Sequence, residues 1–331
     1  MGEPRRAVAA PKARRRWLLA SLATVLSLLL IVTGFYAWNL FSAVQNIPRE
    51  AGLLPKADAE RVLEPEVDTL NFVIIGSDSR GEDDIGRSDV LMLAHVPADN
   101  SKLYLISFPR DLYVEIPGRK GKDKINHAYA YGGPPLTVLT MEHLLGIRVD
   151  HVVKIDFDGF IGMTDTLGGV TVNNPVPSSS SRYSFPAGEI TISGEQALTY
   201  VRERKNLPRG TVDRALRQRI VLKAILRKIM TPEVLANPKK FGEVVGELGS
   251  YVVADDQLTT GRMFGIATSM RIRGGDDIRL MMAPISGFGR DPKNRWIDIP
   301  HDTKMPELAD ALQKDKLGEY YEKYKDAPLV G

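Results

Sequence analysis

Leu70-Asn71-Phe72-Val73-Ile74-Ile75-Gly76, followed by Val90-Leu91-Met92-Leu93-Ala94-His95-Val96-Pro97-Ala98-Asp99-Asn100-Ser101-Lys102-Leu103-Tyr104-Leu105-Ile106-Ser107-Phe108, decides the fold. The first stretch is a short apolar run with Val and Ile that stops at a glycine, the pattern of a buried strand. The second holds two apolar runs, residues 90–96 and 103–108, on either side of the turn formers at 97–100. Strands joined this way form an antiparallel hairpin. Outward from them, residues 134–145 carry Leu136, Leu139, Leu144 and Leu145 and predict an amphipathic helix ending at Gly146. Residues 152–157 predict a strand, 160–167 a short helix closed by Gly168-Gly169, and 170–172 another strand. A serine-rich loop is expected at 178–184, and a short helix begins over 194–198. A long helix over 213–230 is stopped by Thr231-Pro232, and 278–283 form a late strand. Helices interleaved with strands predict an α/β fold. The hairpin excludes a purely parallel sheet, so the expected architecture is a mixed central sheet flanked by helices.

The chain has 331 residues, 43% hydrophobic and 26% charged, enough apolar material for a sizeable core. The absence of cysteine excludes disulfides, thiolate metal sites and cysteine catalysis. The net charge is +3, but residues 1–16 carry six cations against Glu3, a local net of +5, so the remainder is at −2. The basic character therefore belongs to the tail, and no nucleic-acid partner is expected.

Residues 17–38 have no charged side chain and are rich in Leu, Val, Ile and Ala, with Trp17, Tyr36 and Trp38 at the ends. At about 1.5 Å per residue such a run crosses a hydrocarbon core of about 30 Å. The preceding arginines predict a single-pass cell-membrane anchor with a cytoplasmic N-terminus and an extracytoplasmic remainder. The expected organisation is a basic tail at 1–16, an anchor at 17–38 and a juxtamembrane spacer at 39–68. The spacer carries Pro48, Pro55 and Pro65, with some helix around 57–63. A catalytic domain follows at 69–285. A polar C-terminal extension at 286–331 is helical in places and has no assigned role.

Gly76-Ser77-Asp78-Ser79-Arg80 follows a predicted strand, where ligands of open α/β sheets gather. Gly86-Arg87-Ser88-Asp89 precedes the next one. Asp78 and Asp89 thus flank one loop and could share a Mg²⁺ with substrate phosphates, although spacing alone favours ion pairs with neighbouring arginines. Pro109 ends the following strand and throws Arg110 into a loop, and Lys124-Ile125-Asn126-His127 adds a cation and polar donors. His127 reads as a hydrogen-bonded structural group. The strongest constellation is Arg202-Glu203-Arg204 with Arg214 and Gln218. Were 199–204 extended, Arg202 and Arg204 would project to one side. Arg214 and Gln218, four apart on the long helix, share a face. Several guanidinium groups beside a buried helix suit a pyrophosphate, whereas an isolated helix would instead use them in surface ion pairs. No nucleophile elbow, Walker loop or zinc-ligand spacing is present.

Taken in order, residues 71–80 with Arg87-Ser88-Asp89, then 107–111, 124–129, Gly132-Gly133, 156–158, 167–172, 197–204 and 214–218 resemble the LytR-CpsA-Psr (LCP) family. The likeness covers roughly residues 70–230. It implies an α-β-α domain behind one transmembrane helix. It also implies a phosphotransferase that moves a glycopolymer from a polyprenyl-pyrophosphate carrier to peptidoglycan. The polymer would be teichoic acid, capsule or another secondary wall polysaccharide. By the same resemblance, Arg110, Arg202, Arg204, Arg214 and Gln218 hold the pyrophosphate. Asp78 and Asp89 hold Mg²⁺, with Mn²⁺ as its substitute, and Arg80, Arg87 and Lys124 stand beside them. The catalytic set is Asp78, Asp89, Arg87 and Arg110, with Asp78, Asp89 and Asp156 as alternative general bases. An apolar pocket for the lipid completes the expectation. Thr211 stands where family members often have Asp, which leaves Asp213 without a carried-over role. A hydrolase of the same lipid and a non-catalytic lipid-binding protein are the competing readings. A transcriptional regulator is disfavoured, because residues 1–16 are too few to fold a DNA-binding domain.

Overall fold

The computed structural model describes residues 47–327 except 57–58, 60, 63–66, 78–87, 230, 232–233, 235–236 and 273, together with residues 34, 38, 41, 42 and 45. The expected anchor at 17–38 lies outside the described residues apart from 34 and 38. Among the described residues no helix is long and apolar enough to cross a membrane.

Seven strands form the central sheet: β1 Arg49–Glu50, β2 Leu70–Ser77, β3 Ser88–Val96, β4 Leu103–Phe108, β5 His151–Ile155, β6 Val253–Asp255 and β7 Ile278–Met282. Their order across the sheet is β1-β6-β5-β2-β3-β4-β7. The pairs β2–β3, β3–β4 and β5–β6 are antiparallel, whereas β2–β5, β4–β7 and β1–β6 are parallel. The sheet is thus mixed, as expected. The hairpin β3–β4 pairs Leu91 with Phe108 and Leu93 with Ile106. Its turn is closed by the Asn100 N–H donating to Pro97 O at 2.9 Å, with Asn100 at φ 56°.

Side chains alternate across the sheet. Val73, Ile75, Leu91, Leu93, Ile106 and Val152 face one side, where they pack with Val138, Met141 and Leu145 of the Asn126–Leu145 helix. Leu308 and Leu312 of the Lys304–Gln313 helix join the same core. Each such side chain taken fully out of water contributes about 1.5–3 kcal/mol. The opposite face, with Ile74, Met92 and Val153, looks towards the helices Phe157–Thr166, Gly194–Arg202 and Thr211–Ile229. Those helices have a core of their own around Phe185, Tyr200, Val201, Val221 and Ile225.

The structure departs from the expectations at several elements. The helix expected from 134 begins at Asn126 and runs across a kink at Gly132 and Gly133, just before Pro134 and Pro135. Prolines lack the N–H that an unbroken helix would need there. The serine-rich segment is not a plain loop, since Ser178–Ser179 pairs antiparallel with Ser184–Phe185. Arg217, 1% exposed, anchors it by donating to Val176 O at 2.7 Å and Ser178 Oγ at 2.9 Å while lying 4.2 Å from the Tyr200 ring centroid. Asn174 supports the other arm by donating to Phe185 O and Pro186 O. In the stretch expected to be a spacer with some helix around 57–63, residues 59, 61 and 62 are not helical. Leu53 and Leu54 enter the main core, and Arg61 pairs with the buried Glu142. The C-terminal segment forms an antiparallel hairpin, Ile285–Arg290 with Trp296–Pro300, and the helices Lys304–Gln313 and Leu317–Tyr324. Ile285, Met305, Leu308 and Leu317 belong to the main core, so this segment packs as part of the domain.

Gly146 ends the Asn126–Leu145 helix at φ 62°, its N–H donating to Glu142 O at 2.8 Å. A Cβ there would press into the Gln313 amide. Gly146→Ala is expected to lower the unfolding free energy by about 1–2 kcal/mol, read from the urea midpoint. Arg217→Met is expected to cost about 1–3 kcal/mol in the same measurement, because it strands buried acceptors.

Candidate active site

A cavity that opens to solvent lies between the sheet and the second helical layer, its interior and mouth together amounting to about 990 Å³. Ile74, Gly76, Val90, Met92, Val153 and Ile155 line it from the sheet, and Phe160, Met163, Leu198, Leu222 and Ile225 line it from the helices. Among the described residues that line it, only Asp156, Arg202 and Gln218 have polar side chains. A glycine is needed at 76, since a Cβ there would come within 2.8 Å of Val90 Cβ.

An open cleft of about 1120 Å³ adjoins this cavity, lined by Arg110, Arg202, Arg204, Lys205 and Arg214 together with Glu195, Glu203 and Gln218. Leu198, Arg202 and Gln218 border both spaces, so the apolar cavity and the cationic cleft meet there. The structure thus brings together Arg110, Arg202, Arg204, Arg214 and Gln218, which are scattered along the sequence.

The route by which they meet differs from the extended conformation considered for 199–204. Residues Gly194–Arg202 are helical, with Leu198 and Val201 buried on the inner face. The Glu203 N–H closes the last turn on Thr199 O at 3.0 Å. Arg202 stacks 4.2 Å from the Phe157 ring centroid, and the Glu203 carboxylate accepts from the Arg204 N–H at 3.0 Å. Arg202 and Arg204 therefore reach one cleft from a helix end and the turn after it. Gln218 donates to Val201 O at 3.3 Å, which ties the long helix to that end. Arg214, in the first turns of the Thr211–Ile229 helix, is 7% exposed.

Arg110 stands in the loop beyond β4, its Nε 3.7 Å from Asp111 Oδ2. Asp111 Oδ1 accepts from Lys124 Nζ at 2.8 Å, which brings Lys124 beside the cleft. Its neighbour Asp123 faces His127 at 3.0 Å and Arg295 at 2.7 Å and accepts from the Tyr131 hydroxyl at 2.9 Å. Burial opposes ionisation of Asp123, but the adjacent His127, the Lys124 N–H and the Tyr131 hydroxyl hold its carboxyl well below the usual range. His127 lies at ion-pair distance from Asp123, but its buried Nδ1 makes no bond of hydrogen-bond geometry among the described residues, so the expected hydrogen-bonded role is not met at that atom. Asp156 Oδ1 accepts from the Gly159 N–H at 2.7 Å as the N-cap of the Phe157–Thr166 helix. Asp213 accepts from the Arg209 N–H and Nε, both at 2.8 Å, at the start of the long helix.

Asp78, Arg80 and Arg87 lie outside the described residues, as does the side chain of Asp89. The flanking backbone is informative. Ser77 pairs with Ser88 while Gly76 pairs with Val90, so Asp89 is the extra residue of a bulge at the end of the β2–β3 ladder. Among the described residues no group of three or more His, Asp or Glu could hold a metal.

Sequence reading missed two groups. Arg219, 3% exposed, donates to Ser107 Oγ at 2.6 Å and ties the long helix to β4, and burial pulls its pKa down to about 10. Asp298, 4% exposed, donates its N–H to Asp111 O at 2.9 Å, and a bridge joins its strand to Leu112. Burial and the neighbouring Asp111 push the Asp298 carboxyl up to about 6, against the pull of Lys124, Arg214 and Arg110. No spacing rule links position 298 to 111, because only the folded chain brings the two segments together.

The LytR_cpsA_psr family model matches residues 45–314. The polyisoprenyl-teichoic acid–peptidoglycan teichoic acid transferase TagU of Bacillus subtilis is 38% identical over 235 residues, 70% of this chain and 75% of that protein. The crystal structure of B. subtilis TagV superposes with a TM-score of 0.65 at 27% identity, covering 76% of this chain and 98% of that one. TagT bound to LI-WTA superposes with a TM-score of 0.58 at 28% identity, covering 79% and 98%. With its mixed sheet, helical layers and ordered motifs, the chain belongs to the LytR-CpsA-Psr family.

Proposed function

We propose that the protein is a phosphotransferase of the cell envelope that moves a glycopolymer from a polyprenyl-pyrophosphate carrier to peptidoglycan. The observation that carries this reading is the junction of an apolar cavity with an arginine-lined cleft at Leu198, Arg202 and Gln218. A polyprenyl chain fits the cavity, since its walls offer almost nothing that water would solvate better. The pyrophosphate then falls among Arg110, Arg202, Arg204, Arg214 and Gln218, with Lys124 alongside. The relatives' names, and TagT bound to LI-WTA, support a teichoic acid or another secondary wall polysaccharide as the polymer. The uncharged run at 17–38 behind a basic tail supports a single-pass anchor that presents the domain outside the membrane, close to carrier and acceptor.

In the reaction a muramic acid hydroxyl attacks the sugar-side phosphorus. The bond from that phosphorus to the bridging oxygen breaks, polyprenyl phosphate leaves, and the hydroxyl proton passes to a base. Phosphoryl transfer needs mainly positioning and charge stabilisation, and fixed guanidinium groups supply both. Asp78 and Asp89 are the proposed holders of Mg²⁺, or Mn²⁺ in its place. Ser77 and Ser88 pair at the end of the ladder, next to Gly76 and Val90 of the cavity wall. Asp78 follows Ser77 and Asp89 follows Ser88 in the sequence, and two carboxylates with phosphate oxygens make a hard oxygen donor set suited to either ion. When bound, the ion neutralises phosphate charge. Arg80 and Arg87 are proposed to flank this set. Asp156 is already engaged as a helix cap, which favours Asp78 or Asp89 as the base.

The full chain in lipid nanodiscs, given lipid-linked oligosaccharide, peptidoglycan and Mg²⁺, is expected to form a covalent polymer–peptidoglycan product that chelation abolishes. Arg202 and Arg204 are both exposed. Their double replacement by alanine should leave the melting temperature within a degree or two and lower transfer by about 100-fold or more. Release of polyprenyl phosphate with no transfer would show a hydrolase, and binding without turnover a carrier protein. Leu222→Trp, which fills part of the cavity, is expected to raise KM for a long polyprenyl carrier about tenfold. It should raise KM far less for a carrier of one or two prenyl units.

A further inference from the structure

The antiparallel hairpin of Ile285–Arg290 with Trp296–Pro300 carries large apolar side chains that the domain leaves uncovered. Trp296 is 62% exposed, Phe288 49% and Ile299 37%. Groups of this size left in water forfeit most of what burial would bring, and a cluster of them marks a contact surface. They do not form one flat platform. Arg290 pairs with Trp296 and Phe288 with Asp298, so Trp296 and Phe288 stand on one face of the ribbon. Ile299 pairs with Gly287 and stands on the other face. The exposed charged residues of the hairpin, Arg290 and Lys293, are both cations, whereas its carboxylates Asp291 and Asp298 are buried. Arg290 lies 4.2 Å from the Trp296 ring centroid and so covers part of the indole that a sugar ring would stack on. Apolar side chains on both faces of a narrow ribbon, with cations beside an indole, match the boundary between lipid head groups and acyl chains.

The topology puts this hairpin at the end of the sheet where the chain enters the domain. β2, β4, β5 and β7 all finish at one end, because β2–β5 and β4–β7 are parallel and β3 is antiparallel to both β2 and β4. β7 leads into the hairpin there, and Asp298 bridges to Leu112, two residues beyond Arg110 of the cationic cleft. β1 starts where β5 ends, since Arg49 pairs with Ala254 of β6, whose other partner is Val153 of β5. Ten residues, 39–48, separate the uncharged run from β1. At about 3.5 Å each when fully extended, they hold that end of the sheet within about 35 Å of the bilayer surface. We propose that the hairpin rests in the surface of the chain's own membrane, with Trp296, Phe288 and Ile299 at the level of the acyl carbonyls and Arg290 and Lys293 on anionic lipid phosphates. This inference rests on the anchor reading above. Docked in this way, the hairpin holds the neighbouring cleft against the lipid layer, so that a prenyl chain passes from bilayer to cavity with little exposure to water.

The test uses the full chain in nanodiscs of phosphatidylcholine and phosphatidylglycerol, with Trp17→Phe and Trp38→Phe so that Trp296 is the sole tryptophan. Lipid brominated near the carbonyl end of its chains is expected to quench Trp296 fluorescence by about half, and lipid brominated near the chain ends far less, as for an indole at interface depth. Nanodiscs of phosphatidylcholine alone should weaken that quenching, as should Arg290→Glu with Lys293→Glu. Trp296 open to aqueous iodide and untouched by either brominated lipid would overturn the inference. So would protection of Trp296 from iodide by soluble peptidoglycan fragments but not by lipid, which would make the hairpin a glycan contact. The native hairpin carries the first measurement, so a folding defect in the charge-reversed chain would not rescue the proposal. A companion chain with Trp17→Phe and Trp296→Phe leaves Trp38 as the sole tryptophan and reports on the anchor. Lipid quenching of Trp38 but not of Trp296 would overturn this inference alone, whereas quenching of neither would overturn the anchor reading as well.

Discussion

Holding an apolar sheet face away from the helices that cover it is costly, because every unfilled volume forfeits dispersion contacts on both walls. The rest of the molecule is arranged around that cost. The helices Phe157–Thr166, Gly194–Arg202 and Thr211–Ile229 do not depend on the sheet for most of their burial, since they share a core around Phe185, Tyr200 and Val221. Arg217 locks that core to the Ser178–Ser179 hairpin, and Arg219 reaches down to Ser107 on β4. These tethers hold the second layer at a distance while the other face of the sheet is filled by a conventional core. Collapse of the cavity would break buried guanidinium hydrogen bonds, which are among the stronger ones available to a protein.

The same arrangement sets the electrostatics. Cations gather where the cavity opens, and carboxylates stand behind them: Asp111 is paired with Arg110 and Lys124, and Asp298 is joined through its backbone to Asp111. Arg202 and Arg204 remain exposed at the lip, with no carboxylate ion pair among the described residues. An arginine spent on a structural ion pair has little left for a ligand. Arg202 and Arg204 thus stand apart from the buried Arg217 and Arg219, whose guanidinium groups are spent on structural hydrogen bonds, while Arg214 meets the cleft from a buried position. Asp298 arrives from the C-terminal strand, so the segment after β7 contributes both packing and charge to this region.

Much of this was legible in the sequence. The runs at 70–76 and 90–108 carry enough Val, Ile and Leu to announce buried strands, and Pro97 to Asn100 announce their turn. Arg202, Arg204, Arg214 and Gln218 stand out because cations beside apolar helices demand an anion. What stayed hidden depends on contacts distant in sequence. The helical state of Arg202 rests on the burial of Leu198 and Val201 rather than on local propensity. The hairpin at Ser178 and Ser179 exists because Arg217 and Asn174 satisfy its backbone. The pairing of Asp298 with the Asp111 loop spans a separation that no periodicity records.

The central claim is that one molecule occupies the apolar cavity and the arginine cleft together. A polyprenyl pyrophosphate with a photoreactive group on its terminal isoprene, cross-linked to the full chain and mapped by mass spectrometry, tests this directly. The account predicts adducts on the cavity sides of the Phe157–Thr166 and Thr211–Ile229 helices, at residues such as Met163 and Ile225, that unlabelled carrier competes away. Adducts confined to the C-terminal hairpin, or labelling that the carrier does not compete, would contradict it.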